Sequence, residues 1–338
     1  MKVFRGYQLP DPGPCALTIG NFDGVHRGHQ AMLALLKNEA QHRGLPACVM
    51  TFEPHPREYF APATAPARIS TLRDKLTELA RCGIEQAVVL PFNARLASQA
   101  PQDFIGDVLV DGLQAKYVLV GDDFRFGAKR AGDYAMLDEA GDRQGFDVAR
   151  MNSYEVHGQR VSSSAVRDAL ADGRMDDAAR LLGRPYSISG HVVHGRKLGR
   201  ELGFRTLNLR FSHWKSAAAG IFAVHVHGLG DKPLPGVANL GVRPSLDPTD
   251  VNAGRVLLET YCLEWPASVD REGAYGKIIR VELLHKLHDE LKYDGLDSLK
   301  AGISRDCDDA RAFFAQASRS FSASMHTETS RQTTRDRI

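Results

Sequence analysis

Short apolar runs and amphipathic stretches take turns along the first half of the chain. CALTIG reads as a buried strand, and Gly28 to His42 as a helix with Met32, Leu35, Leu36 and Ala40 on one face, ended by Gly44. ACVMTF is a second strand. A helix from Ser70 to Arg81, capped by Ser70, stops before Gly83. QAVVLPF is a third strand, PQDFIGDVLVDGL a helix and KYVLVG a fourth strand. Strands separated by helices imply a parallel sheet with helices on both faces. Ligands of such sheets sit at the carboxyl ends of the strands. TIGNFDGVH, TFEPHP, LPFNARL and VGDDFRFG all fall there.

The pattern changes near Gly183. Ser164 to Leu182 reads as one helix, and Gly183-Arg184-Pro185 as a break. YSISGHVVHG, GIFAVHVHG, GVANLGV, RVLLETYCLEW and GKIIRVELLHKL follow, with turn residues and no helical spacer between them. Such runs predict an antiparallel sheet or an all-β barrel. One helix comes next, from about Gly295 to Ala317, with Leu296, Leu299, Ile303, Ala310 and Phe313/Phe314 at helical spacing. The closing SFSASMHTETSRQTTRDRI has almost nothing to bury and reads as a disordered tail. The expected organisation is an α/β domain over 1–184, a β-barrel domain with a C-terminal helix over 185–318, and the tail over 319–338.

Length and composition narrow the classes. The 338 residues suffice for two cores, and 43% hydrophobic with 25% charged residues is ordinary for a soluble globular protein. A net charge of +2 gives no reason to expect a nucleic-acid or membrane partner. No apolar run approaches the ~20 residues that span a bilayer, and MKVFRGYQLPDPGP is not a signal peptide. Cys15, Cys48, Cys82, Cys262 and Cys307 are scattered, with no C-x-x-C pair. That pattern fits reduced thiols in a cytoplasm. The expected partners are small molecules, and the expected state is a monomer or weak homo-oligomer.

The chemistry concentrates first in TIGNFDGVHRGHQ. Three readings of His26 and His29 compete: a metal site, a helix cap with incidental histidines, or a cradle for phosphates. Zinc needs three or four ligands, and no H-E-x-x-H is present. The phosphate reading accounts for more residues. A helix start offers unpaired N–H groups and about half a positive charge. Gly20 and Gly24 allow tight turns, and Gly28 keeps bulk away between the histidines. An adjacent phosphate favours the charged, better-donating imidazole.

GNFDGVHRGH resembles the signature of bacterial FAD synthetase, one of the Rossmann-like nucleotidyltransferases with an H-x-G-H pair. TFEPHPREYF, VGDDFRFG and VSSSAVRDAL follow in family order. The resemblance implies adenylyl transfer from ATP to FMN, giving FAD and pyrophosphate. It implies catalytic roles for His26, His29 and Arg167, and ATP binding by Gly20, Asn21, Phe22, Asp23, Gly24, Ser162, Ser163 and Ser164. Flavin contacts would come from Pro54, His55, Pro56, Asp123 and Phe124. Ala165 stands where many relatives have Arg, and Ser164 where they have Thr. The chemistry is consistent with the absence of an obvious base. A phosphate nucleophile is largely a dianion near neutral pH, so the site needs positioning and charge neutralisation instead.

HGRKLGRELGFRTLNL, in the β-rich half, is not a Walker loop, because G-K-[ST] is missing. It resembles the riboflavin kinase motif G-R-x-L-G-F-P-T-A-N, with Arg205 in place of Pro and Leu207 in place of Ala. GVANLGVRPS, LLETYCLEW, YGKIIRVELLHKLHDE and the segment SRDCDDAR also match that family in order. The resemblance implies ATP binding by Gly195, Gly199, Gly203 and Thr206, Mg²⁺ held by Thr206 and Asn208, Glu259 as the catalytic residue, and a flavin contact from Arg305. A ribityl hydroxyl is a weak acid and gains from a general base, which suits Glu259. The expected function is a bifunctional enzyme taking riboflavin to FMN and FMN to FAD with ATP and Mg²⁺. The rivals are a monofunctional FAD synthetase with an impaired kinase half and a non-catalytic flavin-binding regulator.

Overall fold

In the computed structural model, six strands form one sheet: β1 (Lys2–Arg5), β2 (Cys15–Ile19), β3 (Ala47–Glu53), β4 (Gln86–Pro91), β5 (Ala115–Gly121) and β6 (Asp147–Met151). Their order is β1-β4-β3-β2-β5-β6, and every pair is parallel. All residues are described except 9–12, 153, 157–158, 195–202, 212–214, 243–254, 267–268, 270–271 and 336–338; for 156, 159, 242, 272 and 318–335 only the backbone is described. Two compact units result, one of Met1–Asp168 with Arg180–Gly183 and one of Ala169–Ala179 with Arg184–Ile338.

The central strands are apolar without alternation because both faces of the sheet are covered. Successive residues of β2 and β3 enter different cores. Leu17, Ile19, Cys48 and Met50 join Leu109, Leu137 and Phe146 on one face, while Ala16, Ala47 and Val49 join Leu33, Leu36 and Leu79 on the other. After β2 the chain winds one way to β3 and β4, then crosses to β5 and β6, so the switch in strand order lies beside the C-terminal end of β2. Crevices form at such points.

The helices are α1 (Arg27–Arg43), α2 (Pro56–Phe60), α3 (Leu72–Arg81), α4 (Ala94–Ser98), α5 (Pro101–Asp103, continuing as a π-helix over Phe104–Gly112), α6 (Tyr134–Gln144), α7 (Ser163–Ala171), α8 (Met175–Leu182) and α9 (Leu296–Arg335). Several expectations are corrected. Of the expected face of α1, Leu36 and Ala40 are buried and Met32 packs against the same core, whereas Leu35 is 50% exposed and Leu33 is buried instead; Leu33, Leu36 and Ala40 recur at steps of three and four. Thr71, not Ser70, caps α3 by accepting from the Asp74 amide. The stretch 164–182 is two helices, because Gly173 N–H and Arg174 N–H close α7 on Leu170 and Ala169. The last helix runs to Arg335, past the Ala317 where the apolar pattern stops. β1, β6, α2, α4 and α6 are among the elements additional to those expected.

A small antiparallel ladder of β7 (Glu155–Val156) and β8 (Gln159–Arg160) precedes α7. The second unit is a closed antiparallel barrel of β9 (Tyr186–Val193), β10 (Leu207–Arg210), β11 (Gly220–His227), β12 (Leu234–Val242), β13 (Val256–Cys262) and β14 (Ile278–His288), in the order β10-β13-β12-β11-β14-β9. Burial alternates along β13, as a barrel wall requires. β11 departs from alternation. Its outward Ile221 and Ala223 lie under Cys307, Ala310, Phe313 and Phe314 of α9. Phe313 and Phe314 stack on His285 and His225, with ring centroids 5.2 Å and 5.1 Å apart.

His288 clasps β14 to α9. Its Nε2 meets Asp306 Oδ1 at 2.8 Å and its Nδ1 donates to the Asp289 carbonyl at 2.7 Å. Burial opposes its charge, but the Asp289 carbonyl and the Asp306 and Asp309 carboxylates outweigh burial and raise its pKa above 6.5. Lys286, paired with Asp289, is the neighbouring cation. A raised pKa contributes stability that is complete below the unfolded value and is lost as pH climbs through the folded value. Hydrogen-exchange protection of α9 should therefore fall as pH rises through the folded pKa, and H288Q should give low, pH-insensitive protection. The same method separates the two α1 leucines. Leu33→Ala should cost about 2–5 kcal/mol of protection in the parallel sheet, and Leu35→Ala about 0.5 kcal/mol or less.

Candidate active sites

The loop after β2 is backbone-strained. Phe22 and Val25 have φ of 48° and 42°, a region that costs bulky and β-branched residues of order 1–3 kcal/mol. Phe22 is 1% exposed and Val25 fully buried, so core packing holds them there. Gly24 has φ +84°, and a Cβ on it would lie 2.8 Å from Ile69 Cγ2. The path delivers His26 to the N-cap of α1, where its Nδ1 accepts from the His29 amide at 3.3 Å. A neutral ring accepting at Nδ1 carries its proton on Nε2. The two imidazoles stack at 3.7 Å and 15°. A Cβ at residue 28 would meet His26 Nδ1 and the Val161 carbonyl, each at 3.2 Å, so Gly28 permits the approach.

The cap reading of His26 is thus realised at the N-terminus of α1. Burial, His26 and Lys75 lower the His29 pKa well below 6.5. His29 Nδ1 is buried and, among the described residues, has no hydrogen-bond partner. Among the described residues, no third His, Cys, Asp or Glu joins the pair as a metal-ligating set.

Asp23 organises the surroundings. Its carboxylate, 1% exposed, accepts from the amides of Ile69 and Ser70, from Ser70 Oγ and from Arg167 Nη2 at 2.6 Å. Ser70 Oγ accepts from Gly24 N–H, and Ser163 Oγ donates to the Asp23 carbonyl at 3.0 Å. Arg167 Nε donates to the Ala67 carbonyl at 2.7 Å. Ser162 Oγ accepts from Ala165 N–H, an N-cap geometry, and Ser164 is exposed. The structure therefore brings His26, His29, Asp23, Ser163 and Arg167 together, with Arg167 bonded to Asp23 and Ala67.

His55 caps α2 through Nδ1, which accepts from Arg57 N–H at 3.1 Å, with Pro54 before it and Pro56 opening the helix. Burial, then Arg68, depress its pKa to about 4. Asp123 is exposed beside Arg160, 3.6 Å away, and Phe124 stacks on Phe126 at 5.5 Å.

Sequence reasoning missed a charged cluster beneath these segments. Arg68, its side chain 3% exposed, spans Glu53 at 2.9 Å and Glu58 at 2.6 Å. Lys75, 1% exposed, donates to Thr51 Oγ1, which donates to the Asn21 carbonyl. Burial, then Arg68, lower the Lys75 pKa to about 8. One signal was available: Lys75 occupies the apolar stripe between Leu72 and Leu79, where a solvent-facing lysine does not belong. Four aromatics at the ends of β3 and β4 were also missed. Phe92 contacts Phe52, Tyr59 and Phe60 at 5.5–5.8 Å, with Phe60 65% exposed.

In the barrel, Gly195 and Gly199 lie outside the described residues. Gly203 is exposed, and Thr206 is half-buried just before β10. Asn208 pairs with Glu259 across β10 and β13, and Glu259 pairs with Asn239 across β13 and β12. Directly opposed residues share a face, so the three form a row on the outer wall. Asn208 Nδ2 donates to the Thr206 carbonyl, while the carboxamide oxygens of Asn208 and Asn239 are buried without a hydrogen-bond partner among the described residues. Arg205 is exposed, so its replacement of Pro disturbs no core. Arg305 is exposed on α9, one residue before Asp306.

Among the described residues, no helix is long and apolar enough to cross a membrane, and all five cysteines are free. The family model for FAD synthetase matches residues 9–165, and that for riboflavin kinase matches residues 182–314. The bifunctional riboflavin kinase/FMN adenylyltransferase of Escherichia coli K12 is 48% identical over 93% of this chain and 98% of its own. That of Pseudomonas fluorescens is 42% identical over 93% and 98%. A crystal structure of a Streptococcus pneumoniae protein described as a macrolide-efflux protein aligns with a TM-score of 0.71 and 26% identity, over 92% of this chain and 99% of that one. By both domain models and by identity along nearly its full length, the chain belongs to the bifunctional riboflavin kinase/FMN adenylyltransferase family.

Proposed function

We propose that the two activities of the family are divided between the two units. The parallel-sheet unit joins FMN to the adenylyl group of ATP, releasing pyrophosphate. The barrel unit moves the terminal phosphoryl group of ATP to riboflavin. The observation that carries the reading is the stacked His26–His29 pair at the N-terminus of α1, beside the switch in strand order.

In the first unit, His26 Nε2–H and the amides of the first turn of α1 bind the triphosphate, aided by the helix dipole. His29 is neutral at rest, and an adjacent phosphate draws its pKa upward, so binding recruits a second charged donor. Gly20, Asn21, Phe22 and Gly24 shape the loop around the nucleotide, while Asp23 and Arg167 hold that loop against α7. Ser162, Ser163 and Ser164 line the start of α7. Pro54, His55, Pro56, Asp123 and Phe124 form the flavin side. No general base is required, because the attacking FMN phosphate is already anionic.

In the second unit, Glu259 takes the proton of the ribityl hydroxyl as that oxygen attacks. Gly195, Gly199, Gly203 and Thr206 are the proposed nucleotide contacts, and Arg305 a flavin contact. Thr206 and Asn208 would hold Mg²⁺: the unpartnered Asn208 carboxamide oxygen is a hard donor of the type that ion takes. When bound, the ion neutralises charge on the phosphates in flight. A cytoplasmic monomer or weak oligomer acting on small molecules fits this reading.

Chromatography of riboflavin, ATP and Mg²⁺ incubated with the protein should show FMN and then FAD. His29→Ala should lower FAD formation by about 10²-fold or more, a magnitude typical of losing a donor to transition-state charge, with FMN formation retained. Glu259→Ala should lower FMN formation by about 10²–10⁴-fold, with FAD formation from supplied FMN retained. Full adenylylation by the His29 variant would overturn the assignment of the first site.

A further inference from the structure

The row across the barrel contains one member without a role. Asn208 stands on the nucleotide and metal side of Glu259, and Asn239 stands on the other. Adjacent strands lie ~4.8 Å apart, so the two asparagines are separated by about twice that. An octahedral Mg²⁺ with bonds of about 2.1 Å holds two oxygen ligands no more than about 4 Å apart. A cation taken by Asn208 with Thr206 therefore leaves Asn239 to a different group. Its carboxamide oxygen is nonetheless buried and, among the described residues, lacks a donor. A desolvated acceptor of that kind is accounted for when a bound ligand supplies the donor.

The surroundings indicate which donor. On the far side, Asn239 pairs with Ile221 of β11, which is 8% exposed and belongs to the apolar cluster under α9. Two residues along the same wall stand Val237 and Tyr261, paired with each other and packed in that cluster with Phe204. Asn239 is thus the polar boundary between Glu259 and an apolar surface. A ligand spanning that boundary has hydroxyls at one end and a flat apolar body at the other.

Resting on the kinase reading above, we propose that Asn239 binds the acceptor, its carboxamide oxygen accepting a hydrogen bond from a riboflavin ribityl hydroxyl next to the one that Glu259 deprotonates. The row then reads, strand by strand, as phosphate side, base and alcohol side. Asn239 fixes the sugar-alcohol chain so that the reacting oxygen meets Glu259.

Steady-state FMN formation by the full chain tests this. Asn239→Ala should raise the KM for riboflavin about 3- to 10-fold, the range of one neutral hydrogen bond, leaving the KM for ATP, the Mg²⁺ dependence and FMN adenylylation unchanged. Asn239→Asp retains an acceptor of the same shape and should keep the riboflavin KM within about threefold, which also covers any failure of the alanine variant to fold. A set of riboflavin analogues each lacking one ribityl hydroxyl identifies the partner: for one of them, wild type and Asn239→Ala should have equal KM values. A rise in the KM for ATP or Mg²⁺ instead, an unchanged riboflavin KM, or the same wild-type to variant ratio for every analogue would overturn the proposal. Failure of the wild-type chain to make FMN would overturn the kinase reading itself.

Discussion

The buried carboxylate of Asp23 is the constraint on which the first site rests. It sits where the loop after β2, the segment before α3 and the start of α7 converge, and it receives donors from the last two. A carboxylate removed from water is tolerable only when fully bonded, so its partners are fixed as firmly as it is. The consequence reaches the histidines. Asp23 is three residues before His26, and its carbonyl is held by Ser163, so the stack at the head of α1 inherits its position from this charge rather than from the helix alone. The strained Phe22 and Val25 are the local cost of that path, retained by burial in the sheet core.

On the proposed assignment, the two sites solve opposite problems with opposite materials. The adenylyl site would meet a nucleophile that needs no deprotonation, with donors, a helix terminus and neutral imidazoles to receive it. The kinase site would have to activate an alcohol, with a carboxylate facing out from barrel strand β13 to do so. Each is set on a rigid framework, parallel in one case and antiparallel in the other. The Asn208–Glu259–Asn239 row follows from strand pairing, and His26 from the Asp23-anchored loop at the end of β2.

Much of this was legible in the chain. The alternation of apolar runs and amphipathic stretches located four of the six parallel strands, because β2 to β5 are buried on both faces and carry little else. β1 and β6 escaped because edge strands such as KVFR and DVARM are half-exposed and mixed in polarity. The Ser70 cap was misplaced by one residue for a reason local sequence does not contain: that hydroxyl is already engaged by Asp23, forty-seven positions away in the chain. Arg167 illustrates the same limit. Its sequence neighbourhood suits an anion, but the anion it meets in the structure belongs to the protein. The role of Asn239 was equally invisible, since a single asparagine in GVANLGV acquires meaning only from the two strands beside it.

The barrel wall also acts as a ruler with a spacing of two. Leu258 and Thr260 face inward on either side of Glu259, which faces out. Inserting or deleting one residue in β13 would exchange these assignments, burying a carboxylate in the barrel lumen and turning two core groups outward. The loops joining these strands escape this parity constraint, whereas a length change within a strand preserves its faces only in pairs of residues.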